Sequence, residues 1–279
     1  MRQQKPTRPA AKKTSRTAAP KQPASPRQSA PPLDQNFVAP QKPVRLNRAI
    51  ADAGVASRRK ADEFIRQGVV KVNGKVVTEL GTKVEIDDMV TVHGEPITRY
   101  KHLTYIVLNK PKDVIATSSD EKGRATVFDI VRLKTRLFTV GRLDRNTTGV
   151  LLLTNDGDLA NMLMHPRYGI VRVYKAVLDK PLRQDHARQI ANGIDLDDGP
   201  TQPCQVTIDP SDRTNVMLSI REGRNREVRR IFEHFEYDVK RLDRKEYAGI
   251  TTRGLARGEY RHLTRDEVFE LQRQVKLAE

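Results

Sequence analysis

Residues 141–154 read Gly-Arg-Leu-Asp-Arg-Asn-Thr-Thr-Gly-Val-Leu-Leu-Leu-Thr, and they constrain the fold more than any other segment of the 279-residue chain. The second half, Val150–Thr154, is a short, continuous apolar run bounded by turn signals, which is the pattern of a buried strand. The first half is a polar loop, bounded by Gly141 and Gly149, that carries Asp144 between Arg142 and Arg145. The loop therefore sits on the rim of a sheet, with its carboxylate held against a rigid element. An aspartate in a glycine-flanked loop is most often a turn former that bonds its own backbone. A loop braced by a strand is also where sites that do chemistry are built.

Further strands are predicted around this one. They are His102–Leu108, Leu137–Val140 leading into the loop, the alternating run Arg172–Leu178, and a pair at Val206–Ile208 and Val216–Ile220. Helices are predicted at 158–164, with Leu159, Met162 and Leu163 inward, and at 182–192, with Ala187 and Ile190 inward. A third helix opens at Gly223-Arg224-Asn225 and buries Val228, Ile231, Phe232 and Phe235. Asn109-Lys110-Pro111-Lys112 is expected to end the first strand, which leaves Lys110 in a charged loop as a candidate phosphate contact. Five arginines within ten residues (221–230) repel one another unless something anionic neutralises them. RNA phosphate is one such partner for Arg224, Arg226 and Arg230, and the Asp144 carboxylate is another if Arg229 points inward.

The net charge of +16 points to a polyanionic partner, with nucleic acid the first candidate. No apolar run approaches the ~20 residues of a membrane-spanning helix. A single cysteine, Cys204, forms no internal disulfide and no cysteine-based zinc site, and fits a reducing cytoplasm. No second histidine or acid stands at metal spacing from His165. Residues 1–43 hold nine basic residues against one acid, Asp34, and have almost nothing to bury. They are expected to be a disordered basic tail, either an arm on RNA phosphates or a plain solvated tail.

Residues 44–100 are expected to form a small module. Leu46, Ala49, Ile50 and Ala53 recur at helical spacing up to Gly54. Ser57 is a good N-cap for a second helix, 58–67, with Gly68 as its stop. Asn73-Gly74 between β-prone runs signals a hairpin, and a last strand falls near 89–92. A helical hairpin followed by a small sheet, with Ser57-Arg58-Arg59 opening the second helix, resembles the S4 RNA-binding domain. The matching residues run from Val44-Arg45-Leu46-Asn47 to Val70-Lys71-Val72-Asn73-Gly74-Lys75. That resemblance implies that Arg45, Arg58, Arg59 and Lys60 contact RNA backbone, and helix N-termini and arginines suit phosphate oxygens.

Residues 101–279 are expected to be the catalytic domain. Gly141-Arg142-Leu143-Asp144-x-x-Thr147-Thr148-Gly149, the leucine-rich strand and Thr154-Asn155-Asp156-Gly157 resemble the signature of the RsuA/RluB-type RNA pseudouridine synthases. Lys110-Pro111, Tyr174 and Glu222-Gly223-Arg224-Asn225-Arg226-x-Val228-Arg229-Arg230 resemble the family's other motifs, in its order, and an S4 domain ahead of the catalytic domain is its layout. The resemblance implies an α+β fold: the S4 hairpin and small sheet, then a mixed, mainly antiparallel sheet with flanking helices and a central cleft. It implies that Asp144 is the essential carboxylate, that Tyr174 stacks on the target base, and that Arg229 pairs with Asp144. Arg142, Leu143, Leu218 and Ile220 would line the pocket, with Arg142 and Arg145 near the phosphates of the flipped nucleotide. Arg172 stands where lysine is common, Glu227 where glutamine is common, and Thr148 where serine is usual.

The chemistry agrees with these residue types. Pseudouridylation breaks the N1–C1′ bond, turns the uracil and rejoins it through C5, with no redox change, so no metal and no cofactor are expected. One carboxylate can attack C1′ or take the C2′ proton. The expected substrate is a uridine of ribosomal RNA, preferentially large-subunit (23S) rRNA, in free RNA or in the assembling subunit. The enzyme is expected to be a monomer in the cytoplasm. Small-subunit (16S) rRNA and tRNA are alternatives, as is a non-catalytic ribosome-assembly factor. A glycosidase-like hydrolase would want two acting carboxylates, and the resemblance gives a catalytic role to no acid besides Asp144.

Overall fold

A computed structural model describes residues 37–38, 42–98, 101–118, 120 and 122–277. Most of the expected disordered tail, residues 1–36 and 39–41, lies outside the described residues. Phe37–Val38, at its end, pair as a two-residue strand with Lys101–His102.

The N-terminal module is built as its local signals require. Helix α1 (Leu46–Asp52) and helix α2 (Arg58–Arg66) form the hairpin, and the Ser57 hydroxyl accepts from the Lys60 N–H at 3.2 Å as the N-cap of α2. Strand β1 (Val70–Val72) turns into β2 (Lys75–Val76) through Asn73 and Gly74, both with positive φ, which is the turn an Asn-Gly pair favours. Strands β3 (Val90–Val92) and β4 (Glu95–Pro96) complete the small sheet in the order β2-β1-β3-β4. Leu46, Ile50, Ala61, Ile65, Val70, Val84 and Val92 share one core. Arg48 Nη2 reaches Asp158 Oδ2 of the following domain at 2.5 Å.

The second domain is organised on a nine-stranded sheet. In chain order its elements are β5 (Tyr105–Lys110), α3 (Val127–Ile130), β6 (Phe138–Thr139), β7 (Thr147–Thr154), α4 (Gly157–Met164), β8 (Arg172–Leu178) and α5 (Gln184–Asn192). They continue with β9 (Gln205–Ile208), β10 (Asn215–Ile220), α6 (Glu227–Glu233), β11 (Val239–Tyr247), β12 (Ile250–Thr251), β13 (Tyr260–His262) and α7 (Arg265–Lys276). The main strand order is β9-β10-β8-β11-β7-β5-β13, with β6 on β7 and β12 on β11. The pair β7–β11 is parallel and the other strand pairs are antiparallel. The expected mixed, mainly antiparallel α+β architecture is the one observed.

The leucine run of β7 is explained by burial on both sides of the sheet. Leu151 and Leu153 join Ile106, Leu108, Ala187, Ile190, Val228, Ile231 and Phe232 on the face covered by α5 and α6. Val150 and Leu152 join Val107, Leu159, Leu163, Leu271 and Val275 under α4 and α7. Truncating any of these leucines to alanine would cost about 2–5 kcal/mol. Two strand limits differ from expectation in ways that matter for the site. Strand β5 runs two residues further than predicted and includes Lys110. Strand β7 begins three residues earlier, at Thr147, because Thr147, Thr148 and Gly149 pair in parallel with Leu242, Asp243 and Arg244. Among the described residues, no helix is long and apolar enough to cross a membrane.

Candidate active site

Asp144 lies in the connection between β6 and β7. Leu143, only 6% exposed, anchors the chain in the core just before it, and the Thr147 N–H donates to the Asp144 carbonyl at 3.1 Å just after it. The Asp144 side chain is half-buried and projects into a cavity of about 260 Å3. Arg142, Leu143, Tyr174 and Ile220 line the same cavity. Tyr174 is 9% exposed and stands on β8 opposite Leu218 and Arg244, where a register shift between Val173 and Tyr174 bends the strand.

The loop is held from beneath by Lys110, which is 0% exposed. Its ammonium donates to the carbonyl oxygens of Thr147 at 2.9 Å, Pro111 at 3.1 Å and Arg145 at 3.2 Å. Burial pushes the Lys110 pKa down to about 8, while Asp144 and Asp113 pull it the other way. The expected phosphate contact at Lys110 is therefore corrected: the residue is inside β5 and has no surface to offer RNA.

The arginine assignments change as well. Arg229 does not pair with Asp144; its Nη1 donates to the Val239 carbonyl at 2.8 Å. The cation nearest Asp144 is Arg226, whose Nη1 is 3.9 Å from Oδ2. Arg226 caps α6 with φ of +50°, so its side chain leaves the helix toward the loop, whereas Arg229 lies inside the helix. Arg224 and Arg230 are not free for RNA: both bind Asp198, and Arg224 also meets Glu222 and the carbonyls of Gly199 and Pro200. Those contacts hold the Asp198 carboxyl well below the usual carboxylate range. Leu218 lies fully buried in the core opposite Tyr174 and is not part of the cavity lining. Arg145 is exposed and pairs with Asp113 at 3.0 Å.

Several residues of this wall were not identified from sequence. Arg172 is buried and donates to the carbonyls of Ile170, Arg221 and Glu222. Arg244 is 3% exposed, and its Nε donates to the Val150 carbonyl at 2.7 Å. Both guanidinium groups lie against the Tyr247 ring, at 5.3 and 4.7 Å from its centroid. Glu227, noted only as a departure from the family's usual glutamine, is a second acid on the cavity wall. It is 3% exposed, and burial first, then the neighbouring Glu222 carboxyl, push its pKa up strongly. One proton stays with that pair near neutral pH, because two carboxylates in contact cannot both ionise cheaply.

One open groove extends from Asp144, and a second adjoins it at Thr117. The first, about 450 Å3, is lined by Thr117, Lys122, Arg124 and Arg142 together with Asp144. The second, about 860 Å3, shares Thr117 and runs to the N-terminus of α2, with Arg58 and Arg59 on one side and Arg132 and Arg136 on the other. All four of these arginines are exposed. Lys60 is engaged with Glu63 at 2.6 Å and lies over the Phe64 ring, while Arg45 is exposed on a two-residue strand that pairs with Lys83–Val84.

Two segments of the chain match known families. Residues 104–234 match the family model described as RNA pseudouridylate synthase, and residues 44–90 match the S4 domain. The chain is 46% identical over 232 residues to the ribosomal large subunit pseudouridine synthase B of Bacillus subtilis, covering 81% of this chain and 95% of that one. It is 36% identical over 234 residues to the dual-specificity RNA pseudouridine synthase RluF of Escherichia coli, covering 83% of this chain and 79% of that one. A crystal structure of a pseudouridylate synthase, 31% identical, superposes with a TM-score of 0.61 over 82% of this chain and 99% of the other.

Proposed function

Since the chain belongs to the RNA pseudouridine synthases that carry an S4 domain, we propose that it isomerises a specific uridine of large-subunit ribosomal RNA and that Asp144 is its essential carboxylate. The observation that carries this reading is the placement of Asp144. It stands where a cavity lined by Tyr174 meets a basic groove, and a second groove that shares Thr117 with the first leads on to α2.

That placement fits the order of events. RNA backbone lies along the groove between Arg58 and Arg59 and the pair Arg132 and Arg136, as phosphate binding favours. The target nucleotide leaves its stack, at a cost of a few kcal/mol offset by these contacts. Its uracil enters the cavity against the Tyr174 ring, where stacking contributes ~1–3 kcal/mol. Its C1′ then lies beside Asp144. The ionised carboxylate breaks the N1–C1′ bond, by attack at C1′ or by removal of the C2′ proton, and the electron pair leaves with the base. The ring turns, C5 bonds to C1′ as the Asp144–C1′ ester breaks on the first route or as Asp144 returns the proton to C2′ on the second, and the C5 proton is lost. The cation Arg226 and the loop brace Lys110 hold the carboxylate in place.

Large-subunit rRNA is favoured as substrate because the Bacillus subtilis relative, named for that subunit, matches over nearly its whole length. Mapping of pseudouridines across rRNA and tRNA in wild-type and deletion strains tests the assignment. Loss of one large-subunit site is expected. Loss of a site only in small-subunit rRNA or tRNA would overturn the substrate, and no lost site would overturn the enzymatic reading.

A further inference from the structure

Four buried side-chain polar atoms among the described residues have no hydrogen-bond partner, and three of them belong to residues on the wall of the Asp144 cavity: Thr147 Oγ1, Glu227 Oε1 and Arg244 Nη2. Leaving such an atom unpaired is costly, so folded proteins keep few, and several at one cavity need a reason. The Glu227 oxygen has one, because burial and the neighbouring Glu222 carboxyl favour the protonated form of Glu227. Thr147 and Arg244 have none within the chain. Arg244 is held on the central strand β11, across from Tyr174 on β8 and Gly149 on β7. Its guanidinium is 3% exposed, is fixed through Nε to Val150, and has no carboxylate within ion-pair distance among the described residues. A buried cation without a counter-charge is costly and fits a site where negative charge develops during a reaction.

We propose that Arg244 and Thr147 form the edge that reads the uracil ring: Arg244 Nη2 donates to a carbonyl oxygen of the base, and Thr147 Oγ1 accepts from N3–H. This rests on the assignment of the cavity as the uracil site. The edge O2, N3–H, O4 presents acceptor, donor, acceptor, and it is symmetric about the N3–C6 axis. Isomerisation turns the ring about that axis. N1 and C5 exchange places, O2 and O4 exchange places, and N3–H stays. One donor and one acceptor on the wall therefore meet the same pattern before and after the turn, and the base is held while it is detached. Cytosine lacks the N3 proton and carries an amino group in place of O4, so it meets Arg244 correctly in only one of the two orientations, and then only if the Thr147 hydroxyl turns to donate. Cleavage of C1′–N1 leaves the electron pair on the base, spread over N1, O2 and O4, so the bond from Arg244 becomes charge-assisted as the base departs. The C5 pair then forms the new bond to C1′ while the Asp144–C1′ ester breaks, or while Asp144 returns its proton to C2′, and the C5 proton passes to water, so the sequence balances without a co-reactant. Neither protein atom is open to water in the free chain, so the wall has to part for the base to reach them.

The test uses the full chain and total RNA from a strain that lacks it, so that the outcome does not depend on which RNA is the target. Pseudouridine formation is timed under single-turnover conditions, with melting temperature and RNA binding measured beside it. Thr147→Val removes an unpartnered hydroxyl at constant shape. It is expected to melt at or above the wild type, to bind RNA as tightly, and to react roughly ten- to hundredfold more slowly. Arg244→Lys is expected to lose at least as much on uridine. It should lose less on RNA containing 5-fluorouridine, whose base is a more acidic leaving group, with substrate consumption as the readout. Wild-type rates in either variant overturn the proposal, as does a Thr147→Val chain whose lost rate is matched by a lowered melting temperature. If Arg244→Lys does not fold, Thr147→Val decides alone. A wild-type chain that converts tRNA or small-subunit rRNA rather than large-subunit rRNA overturns the substrate assignment and leaves this one standing.

Discussion

Lys110 Nζ lies 2.9 Å from the carbonyl oxygen of Thr147, so a buried ammonium on β5 fixes the first residue of the strand that follows Asp144. Lys110→Met fills much of the same volume and removes a cation whose burial is unfavourable, but it leaves the Pro111, Arg145 and Thr147 carbonyls without their donor. Amides of residues 141–147 are expected to exchange with deuterium faster than in the wild type, while those of α7 keep their protection. Single-turnover rate should fall more than tenfold with RNA affinity retained. Unchanged exchange in the loop would remove Lys110 from this role.

Gly149 is where β7 and β11 approach most closely. Its φ is +103°, and an added Cβ would lie 2.1 Å from the Arg244 carbonyl oxygen, which is backbone and cannot swing away. Gly149→Ala is expected to cost on the order of 3–5 kcal/mol in urea unfolding. Gly141, with φ of +70° and open space around it, should cost only about 1–2 kcal/mol on the same change. Equal losses at the two positions would contradict the close packing of the parallel pair.

The Glu222–Glu227 pair makes stability depend on pH with a definite sign. The folded pKa of Glu227 is raised above its ordinary value of 4.5, with Arg224 opposing the shift and Cys204 close enough to be pushed up by both acids. The folded chain thus binds more protons than the unfolded chain above that value. This contribution is fully present at low pH and is lost as pH rises through the raised pKa. Glu227→Gln keeps an acceptor for the Arg224 N–H, gains a donor for Glu222 and removes the titration. Its melting temperature should exceed the wild type at pH 8, by about 1–3 kcal/mol in stability, and the gap should narrow toward pH 5. A gap that widens on acidification would contradict the shared proton.

The groove between α2 and residues 132–136 predicts a salt signature. Replacing Arg58, Arg59, Arg132 and Arg136 together with glutamine should weaken RNA binding across sequences. It should also lower the slope of log affinity against log salt by roughly three. Replacing Arg224 and Arg230, which are committed to Asp198, should leave the slope nearly unchanged. The reverse ranking would move the RNA path to the α6 side of the site.

What could be read from the sequence was local. The Asp144 loop, the Ser57 cap, the Asn73-Gly74 turn and the leucines of β7 announce themselves through neighbours a few residues away. The residues misread or missed depend on distant partners. Lys110 looks like the end of a strand next to a proline, and only pairing with β7 and β13 keeps it inside. Strand β11 reads as surface, since six of its nine residues are charged, yet it lies in the middle of the sheet between β7 and β8. Arg244, and with it half of the cavity floor, could not be found without that pairing. Arg226 and Arg229 differ by three positions, and the left-handed residue that starts α6 decides which of them turns toward Asp144.

The central claim is that Asp144 performs the chemistry and that the remaining site residues hold RNA, base and carboxylate in place. Asp144→Asn keeps the shape and the backbone bonds of the loop while removing the charge. Purified Asp144→Asn chain should melt and bind RNA within experimental error of the wild type, and form no pseudouridine in total RNA from the deletion strain. Pseudouridine formation by that variant at more than about a thousandth of the wild-type rate would contradict the account.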